Sequence, residues 1–277
     1  MTNIAVLLTV HNRKTKTLNC LDNLFQQEIP LDCDLNVYLT DDGCTDGTPE
    51  AVREMYPQVN IIKGDGTLFW NRGMWTAWDY ASKEKDYDYY LWLNDDTYLY
   101  PNCIQSLLES SNGCGNIAVI VASICNSDGS KVTYGGHRLS DGNLAIPNGK
   151  LQECQTMNGN CVLIPRSVYK KCGNLDWAYI HAIGDLDYGY NVRRRGFKIF
   201  ASKEFLGICE SHPQLPSWAR PDVPYIKRIK NLYSPLGYAQ PGPFFHYDLK
   251  NFGLLRAIKH YITIHIRVCF PNLWLKK

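Results

Sequence analysis

The residues Tyr90-Leu91-Trp92-Leu93-Asn94-Asp95-Asp96-Thr97 pose the first chemical question of this chain. An apolar, strand-like run stops at adjacent carboxylates, which places negative charge at the carboxyl end of a strand, where open α/β sheets bind their ligands. Two such carboxylates are costly to desolvate unless a cation compensates them. A divalent ion carrying a diphosphate would do so, because Mg²⁺ and Mn²⁺ favour carboxylate and phosphate oxygens. Taken alone, such a motif is more often an Asp-rich turn, or a cap for the segment that starts Pro101-Asn102-Cys103-Ile104. Asp41-Asp42-Gly43, after another apolar run, raises the same choice between a nucleobase or ribose acceptor and a tight turn with Asx bonding.

Those carboxylates need a scaffold. Residues 4–9 form the continuous apolar run of a central parallel strand, followed by polar His11-Asn12-Arg13-Lys14 and then Leu18, Leu21, Leu24 and Phe25 at helical spacing. Residues 35–40 repeat the strand pattern, and 50–55 read as a helix capped by Thr48 with Pro49 at its first position. A third strand over 59–63 leads to the Gly-rich loop Gly64-Asp65-Gly66-Thr67, a helix carrying Trp75, Trp78 and Tyr80, and the fourth strand that ends in Asp95-Asp96. This alternation predicts an α/β fold: a doubly wound, Rossmann-like, mostly parallel central sheet flanked by helices. Further on, the patterns predict strands over 117–124 and 161–164, a short helix over 167–171, a helix over 185–195 ended by Gly196, and a strand over 197–201. The prolines of 213–243 predict extended polypeptide over a surface, and helical character returns over 252–270.

Composition narrows the function classes. With 277 residues, 45% hydrophobic and 20% charged, the chain can bury a sizeable core. Its net charge of +2 conceals an asymmetry: from Pro216 onward ten Lys/Arg face two Asp, a charge of +8, which leaves −6 on residues 1–215. Nucleic-acid binding is not expected, because the excess of basic residues is confined to that tail and no recognition motif accompanies it. Eleven cysteines, odd in number and without a Cys-x-x-Cys pair, argue against a zinc site and a secreted disulfide framework. Met1-Thr2-Asn3 leads directly into the first strand without a basic n-region, so the expectation is a cytoplasmic protein, with any membrane contact peripheral at the inner face. Neither a Gly-x-Gly-x-x-Gly nor a Walker loop follows the first strand, which reads Thr9-Val10-His11-Asn12-Arg13 on into its loop, so phosphates must be held another way.

The ordered set Thr9-Val10-His11-Asn12-Arg13, Asp41-Asp42-Gly43-Cys44-Thr45-Asp46-Gly47-Thr48, Gly64-Asp65-Gly66-Thr67-Leu68-Phe69-Trp70-Asn71-Arg72-Gly73, Leu93-Asn94-Asp95-Asp96 and Gly184-Asp185-Leu186-Asp187-Tyr188 resembles the family-2 inverting glycosyltransferases of GT-A fold. It is most similar to the rhamnosyltransferase-like branch of bacterial surface polysaccharide biosynthesis. The resemblance implies a GT-A domain over residues 1–212, with a nucleotide-binding half at 1–100 and an acceptor-binding half at 101–212. Residues 213–277 would follow as an extended segment and a basic amphipathic C-terminal helix. The implied reaction moves a hexose or deoxyhexose from a nucleotide diphosphate sugar to a hydroxyl of a glycan or lipid-linked saccharide.

Carried over residue by residue, the resemblance implies that Thr9, Asn12 and Asp41 hold the nucleobase, with Arg13, Asp65 and Asp95 completing the nucleotide set. The Asp-x-Asp element stands here as Asn94-Asp95-Asp96, so Asp96 becomes the ligand of a Mn or Mg ion, and His212 a second candidate ligand. A Glu-Asp pair stands as Gly184-Asp185, which makes Asp185 the general base. That role needs a carboxylate near the acceptor hydroxyl with a pKa raised by partial burial; from the residues alone, a carboxylate complementing a helix amino terminus explains Asp185 as well. Trp70, Asn71, Asn158, His181 and Asp187 are the candidate donor-sugar or acceptor contacts, with Tyr134-Gly135-Gly136-His137 on the acceptor side. Trp75 and Trp78 fit a core instead. The tail admits three readings: packing on the body, an interfacial helix on anionic lipid, or a homo-oligomer contact. A non-catalytic nucleotide-sugar or carbohydrate-binding protein, and a sugar nucleotidyltransferase, are the alternatives on the same scaffold.

Overall fold

The computed structural model describes residues 1–211 and 215–274. The strongest sequence signals became the first half of the fold: β1 (Thr2–Val10), α1 (Lys14–Phe25), β2 (Cys33–Asp41), α2 (Thr48–Met55), β3 (Asn60–Lys63), α3 (Phe69–Glu84) and β4 (Tyr89–Leu93). The second half adds β5 (Tyr98–Leu99), α4 (Cys103–Gly113), β6 (Ala118–Cys125), β7 (Val132–Tyr134), β8 (Gly136–Arg138), β9 (Gln152–Met157), β10 (Cys161–Pro165), α5 (Arg166–Cys172), α6 (Gly184–Arg194) and β11 (Lys198–Ile208). The sheet runs β3-β2-β1-β4-β10-β6-β11-β9-β8, with β5 on β11 and β7 on β6. From β3 to β11 every strand except β10 points the same way. This is the mixed, mostly parallel α/β sheet that the alternation predicted.

Strand periodicity makes the two layers. Ile4, Val6, Leu8 and Val10 of β1 pack with Leu21 and Leu24 of α1 on one side of the sheet, while Ala5 and Leu7 pack with Met74, Ala77 and Trp78 of α3 on the other. Both faces are therefore dry, which is why β1 and β4 read as unbroken apolar runs. The cap of α2 differs from the expectation. Gly47, at φ 77°, precedes the helix, and Thr48 inside it donates through its amide to Asp46 at 3.1 Å.

The tail corrects a second expectation. The described part of 213–243 is not extended: it holds a 3-10 turn at Ser217–Ala219, the helix α7 (Tyr225–Leu232), a 3-10 turn at Pro235–Gly237 and the start of α8 (Pro241–Phe252). After Gly253, α9 (Leu254–Cys269) runs on to a last 3-10 turn at Pro271–Trp274. Pro224 flanks α7 and Pro241 opens α8, so these prolines begin helices by supplying a helical φ where no amide donor is needed. Trp218, Leu232, Ile264 and Val268 form the tail's own small core, and Tyr247 of α8 joins Tyr179 and Ile183 of the body. Among the described residues no helix is long and apolar enough to cross a membrane.

Candidate active site

Because β1 and β4 are parallel neighbours, with Leu7 opposite Trp92, the loops that leave their carboxyl ends meet. Arg13, entering α1, reaches the end of β4. Its Nη1 donates to Asp95 Oδ1 at 2.7 Å and its Nη2 to Asp96 Oδ2 at 2.9 Å. Lys16, three residues further along α1 and not singled out from the sequence, lies 3.9 Å from the same Asp96 oxygen. Asp95 is buried, with the Thr17 hydroxyl at 3.4 Å. Burial pushes its pKa up to about 6 against the pull of Arg13, and the neighbouring charge of Asp96 adds to the rise. Burial works the other way on Arg13, but its two carboxylate partners outweigh it and raise its pKa.

The other nucleotide-side candidates sit at the carboxyl ends of β1 and β2 and on the loops that follow β1 and β3. Thr9 pairs with Thr40 at the end of β1. Asn12, at φ 52°, accepts from the Thr45 amide at 2.7 Å, and Asp41 accepts from the Cys44 amide at 2.9 Å. Asp65 is exposed, and its bonds from the Thr67 hydroxyl and amide lower its pKa. The residue that joins these loops is Asp42, named in the sequence only as part of the Asp41-Asp42-Gly43 turn and not as a site residue of its own. Buried, it accepts from the amides of Gly66 at 2.9 Å, Leu68 at 3.1 Å and Phe69 at 2.7 Å, closing the Gly-rich loop onto β2 and satisfying amides at the start of α3. The available signal was a carboxylate at a strand end beside a loop whose amides need acceptors.

Trp70 links the end of β4 to the loop that holds Asp185. Its indole Nε1 donates to Asn94 Oδ1 at 2.7 Å, and its ring lies against Gly159, where a Cβ would collide with it. The Gly159 amide donates to Asp185 Oδ2 at 2.9 Å, while Asp185 Oδ1 accepts from the Leu186 amide at 2.8 Å. Asp185 makes no salt bridge among the described residues, and burial raises its pKa, although the Leu186 and Gly159 amides and then a coulombic pull from His137 oppose the rise. His181, whose Nδ1 accepts from the Trp70 amide at 3.4 Å, packs at a tilt of 56° against Tyr238 of the tail; burial first, and Arg13 second, lower its pKa to about 4. It is therefore a neutral imidazole at neutral pH. Asn158 exchanges bonds with the Gly135 backbone, holding the loop that presents Gly159.

Two candidates do not face this space, and their roles need correcting. Asn71 is fully buried; its amide nitrogen donates to the carbonyls of Asp176 and Tyr179, and its Oδ1 packs where Gly184 leaves no room for a side chain. It shapes the loop ahead of α6 instead of contacting a sugar, and it explains why position 184 holds glycine. Asp187 is also buried and is taken up by the tail, accepting from Lys250 Nζ at 2.6 Å and Asn251 Nδ2 at 2.8 Å. Trp78 is core, as its spacing predicted. Among the described residues five non-glycine positions have positive φ, and four of them (Asn12, Phe69, Ile183 and Tyr238) surround this site. Ile183, β-branched and at φ 67°, immediately precedes the helix bearing Asp185, and such strain persists only where the surroundings over-determine it.

Among the described residues no group of three or more His, Cys, Asp or Glu could enclose a metal ion, and His212 lies outside them. Asp96 nevertheless suits a cation that arrives with a diphosphate, which needs only one or two carboxylates. Its Oδ2 is shared with Arg13 and Lys16, while its Oδ1 meets only the Cys209 thiol at 3.8 Å. That thiol stays protonated, because burial and Asp96 push its pKa up to about 12.

Comparison with known proteins accords with this geometry. A family model described as Glycosyl transferase family 2 matches residues 5–173. An N-acetylglucosaminyl-diphospho-decaprenol L-rhamnosyltransferase of Mycobacterium tuberculosis is 24% identical over 192 residues, 59% of this chain and 62% of that one. A hyaluronan synthase of Streptococcus pyogenes is 26% identical over 176 residues, 61% of this chain and 40% of that one. This chain thus spans less than two thirds of the length of either curated relative. Among solved structures, the mannosyltransferase PcManGT from Pyrobaculum calidifontis, in complex with GDP-Man and Mn²⁺, superposes with a TM-score of 0.58 at 16% identity, covering 99% of this chain and 88% of that one. S. aureus TarS 1-349 in complex with UDP-GlcNAc gives 0.58 at 12% identity, covering 95% and 79%.

Proposed function

The chain belongs to glycosyl transferase family 2, and from that premise we propose that it is an inverting glycosyltransferase. It takes a nucleotide diphosphate sugar as donor and a hydroxyl of a glycan or lipid-linked saccharide as acceptor. The observation that carries this reading is the pairing of two unlike acidic sites across Trp70. A charge-dense cluster of Asp95, Asp96, Arg13 and Lys16 lies on one side, and Asp185, which makes no salt bridge among the described residues, on the other.

Thr9, Asn12, Asp41, Asp65 and Asp95 line the crevice proposed for the nucleoside. Arg13 and Lys16 supply positive charge where a diphosphate would lie, which favours an anionic leaving group. Asp96 would hold a divalent ion, Mn or Mg, which when bound would neutralise charge on the departing diphosphate. Asp185 accepts the proton of the acceptor hydroxyl as that oxygen bonds to the anomeric carbon; the bond to the diphosphate breaks on the opposite face, and the configuration inverts. Burial suits Asp185 to this, since a base with a raised pKa holds the proton better once it has it. His181, neutral, can accept or donate a hydrogen bond to a sugar hydroxyl without adding charge, and Asn158 and Trp70 complete that side.

The test is Asp185→Asn with donor binding and transfer measured separately. Nucleotide affinity should be unchanged while transfer drops about 1000-fold. Normal turnover in that variant would sink the assignment of the base. Donor binding by the unaltered protein, without hydrolysis or transfer to any saccharide, would instead support a nucleotide-sugar-binding protein.

A further inference from the structure

The side of α9 turned away from the body carries an apolar stripe that nothing in the described chain covers. Ala257, Ile264 and Val268 point inward. Leu255, Ile258, Ile262 and Ile266 recur on the outer side at spacings of three and four residues, and Phe270 follows, with Leu255 86% and Phe270 65% exposed. The patch continues onto α7. The Tyr225 hydroxyl lies 3.7 Å from Cys269 Sγ and the Tyr233 hydroxyl 2.8 Å from His265 Nε2, and Ile226 beside them is 68% exposed. A contiguous apolar face of this kind marks an interaction surface.

Charge says what covers it. Lys227 and Lys230 on α7 and Lys259 on α9 are exposed around the stripe. The tail has no Glu, and its two Asp are engaged, Asp222 with Arg220 and Asp248 with His260 and Arg256. A second copy would bring the same positive charge to the same face, and like charges in apposition oppose association. An anionic lipid surface complements both features, taking the apolar stripe into the headgroup boundary and pairing its phosphates with lysines.

We propose that the outer face of α7 and α9 docks on an anionic lipid bilayer, with α9 lying in the plane of the interface. The contact is peripheral, since α9 has 16 residues and includes Arg256, Lys259 and Arg267. Docking does not depend on the glycosyltransferase reading. If both hold, α8, which grips α6 through Lys250 and Asn251, fixes the orientation of Asp185 relative to the surface that would present a lipid-linked acceptor.

Sedimentation of the full chain with phosphatidylglycerol–phosphatidylcholine vesicles, against phosphatidylcholine alone, tests this. Binding is expected to the anionic vesicles, with an affinity lower by at least about tenfold in Ile262→Asp and Ile266→Asp and by about fivefold in each of Lys227→Ala and Lys230→Ala. All four positions are exposed, and an unchanged circular dichroism spectrum and nucleotide affinity would separate lost docking from lost folding. Failure to bind anionic vesicles, or equal binding to neutral ones, would overturn the proposal. So would a dimer in light scattering that Ile262→Asp dissolves, which would identify the occupant as a second copy.

Discussion

Arg13 joins Asp95 to Asp96, and Lys250 joins Asp176 to Asp187; each cation holds two aspartates, yet the two groupings do different work. Around Arg13, burial outweighs attraction at Asp95 and its pKa climbs to about 6, while Asp96 Oδ1 meets only the Cys209 thiol at 3.8 Å among the described residues. Around Lys250, attraction outweighs burial. Bonds from Lys250, the Ala178 amide and His246 hold Asp176 down to about 2, and Asp187 is fully used by Lys250 and Asn251. Lys250 itself is raised, because its two carboxylates overcome the cost of its burial. A grouping with spare acceptor capacity is suited to a ligand, and one with none is suited to holding two segments together.

The sharpest way to break this distinction is to remove Asp96. Asp96→Ala should cut transfer by about 100-fold or more while the melting temperature stays near that of the unaltered protein. Chelation by EDTA should reproduce much of the loss, and transfer unaffected by both treatments would end the proposed role of Asp96. The converse is Lys250→Met, which leaves the buried Asp187 with only the Asn251 amide. It should cost about 3 kcal/mol of stability, read as a lower denaturation midpoint, with nucleotide affinity intact below that midpoint.

Acidification separates the groupings without mutation. A folded-state pKa of about 6 lies above the unfolded value near 4, so Asp95 favours folding at low pH, and this contribution is lost as pH rises through 6. The folded pKa of Asp176 is depressed, so its contribution is present above the unfolded value and is lost only as pH falls towards about 2. As pH falls from about 7.5 to about 5, Asp95 takes up its proton, so transfer should fall while the melting temperature holds or rises slightly. A parallel fall of both would contradict the contrast. The smallest effect belongs to Lys16→Ala, because half-exposed Lys16 stands 3.9 Å from Asp96: a loss of about 1 kcal/mol or less in donor affinity, shrinking with added salt.

Much of the sheet was legible because β4, most of β1 and the second half of β2 are dry on both faces and are therefore largely apolar. The short strands β7, β8 and β9 were not, since Gly136-His137-Arg138 and Gln152-Glu153-Cys154 have no pattern of their own and exist by pairing with neighbours. In the tail, proline was read as a breaker where it acts as a starter. At the site, Asp185 and the Asn94-Asp95-Asp96 turn could be located from motif order, whereas Asp42 and Lys16 act through a loop amide and a helical turn that only the fold brings near. Asn71 and Asp187 show the complementary limit: a polar residue inside a motif can be spent on holding the motif's frame.

The reach of Lys250 and Asn251 into α6 also bears on inheritance. Recombination that joined residues 1–211 to an unrelated tail would leave Asp187 buried without its lysine, and would expose the ring of His181 that Tyr238 covers. Body and tail are therefore not interchangeable cassettes. A lineage altering one must carry a matching change in the other, so α6 and α8 should vary together.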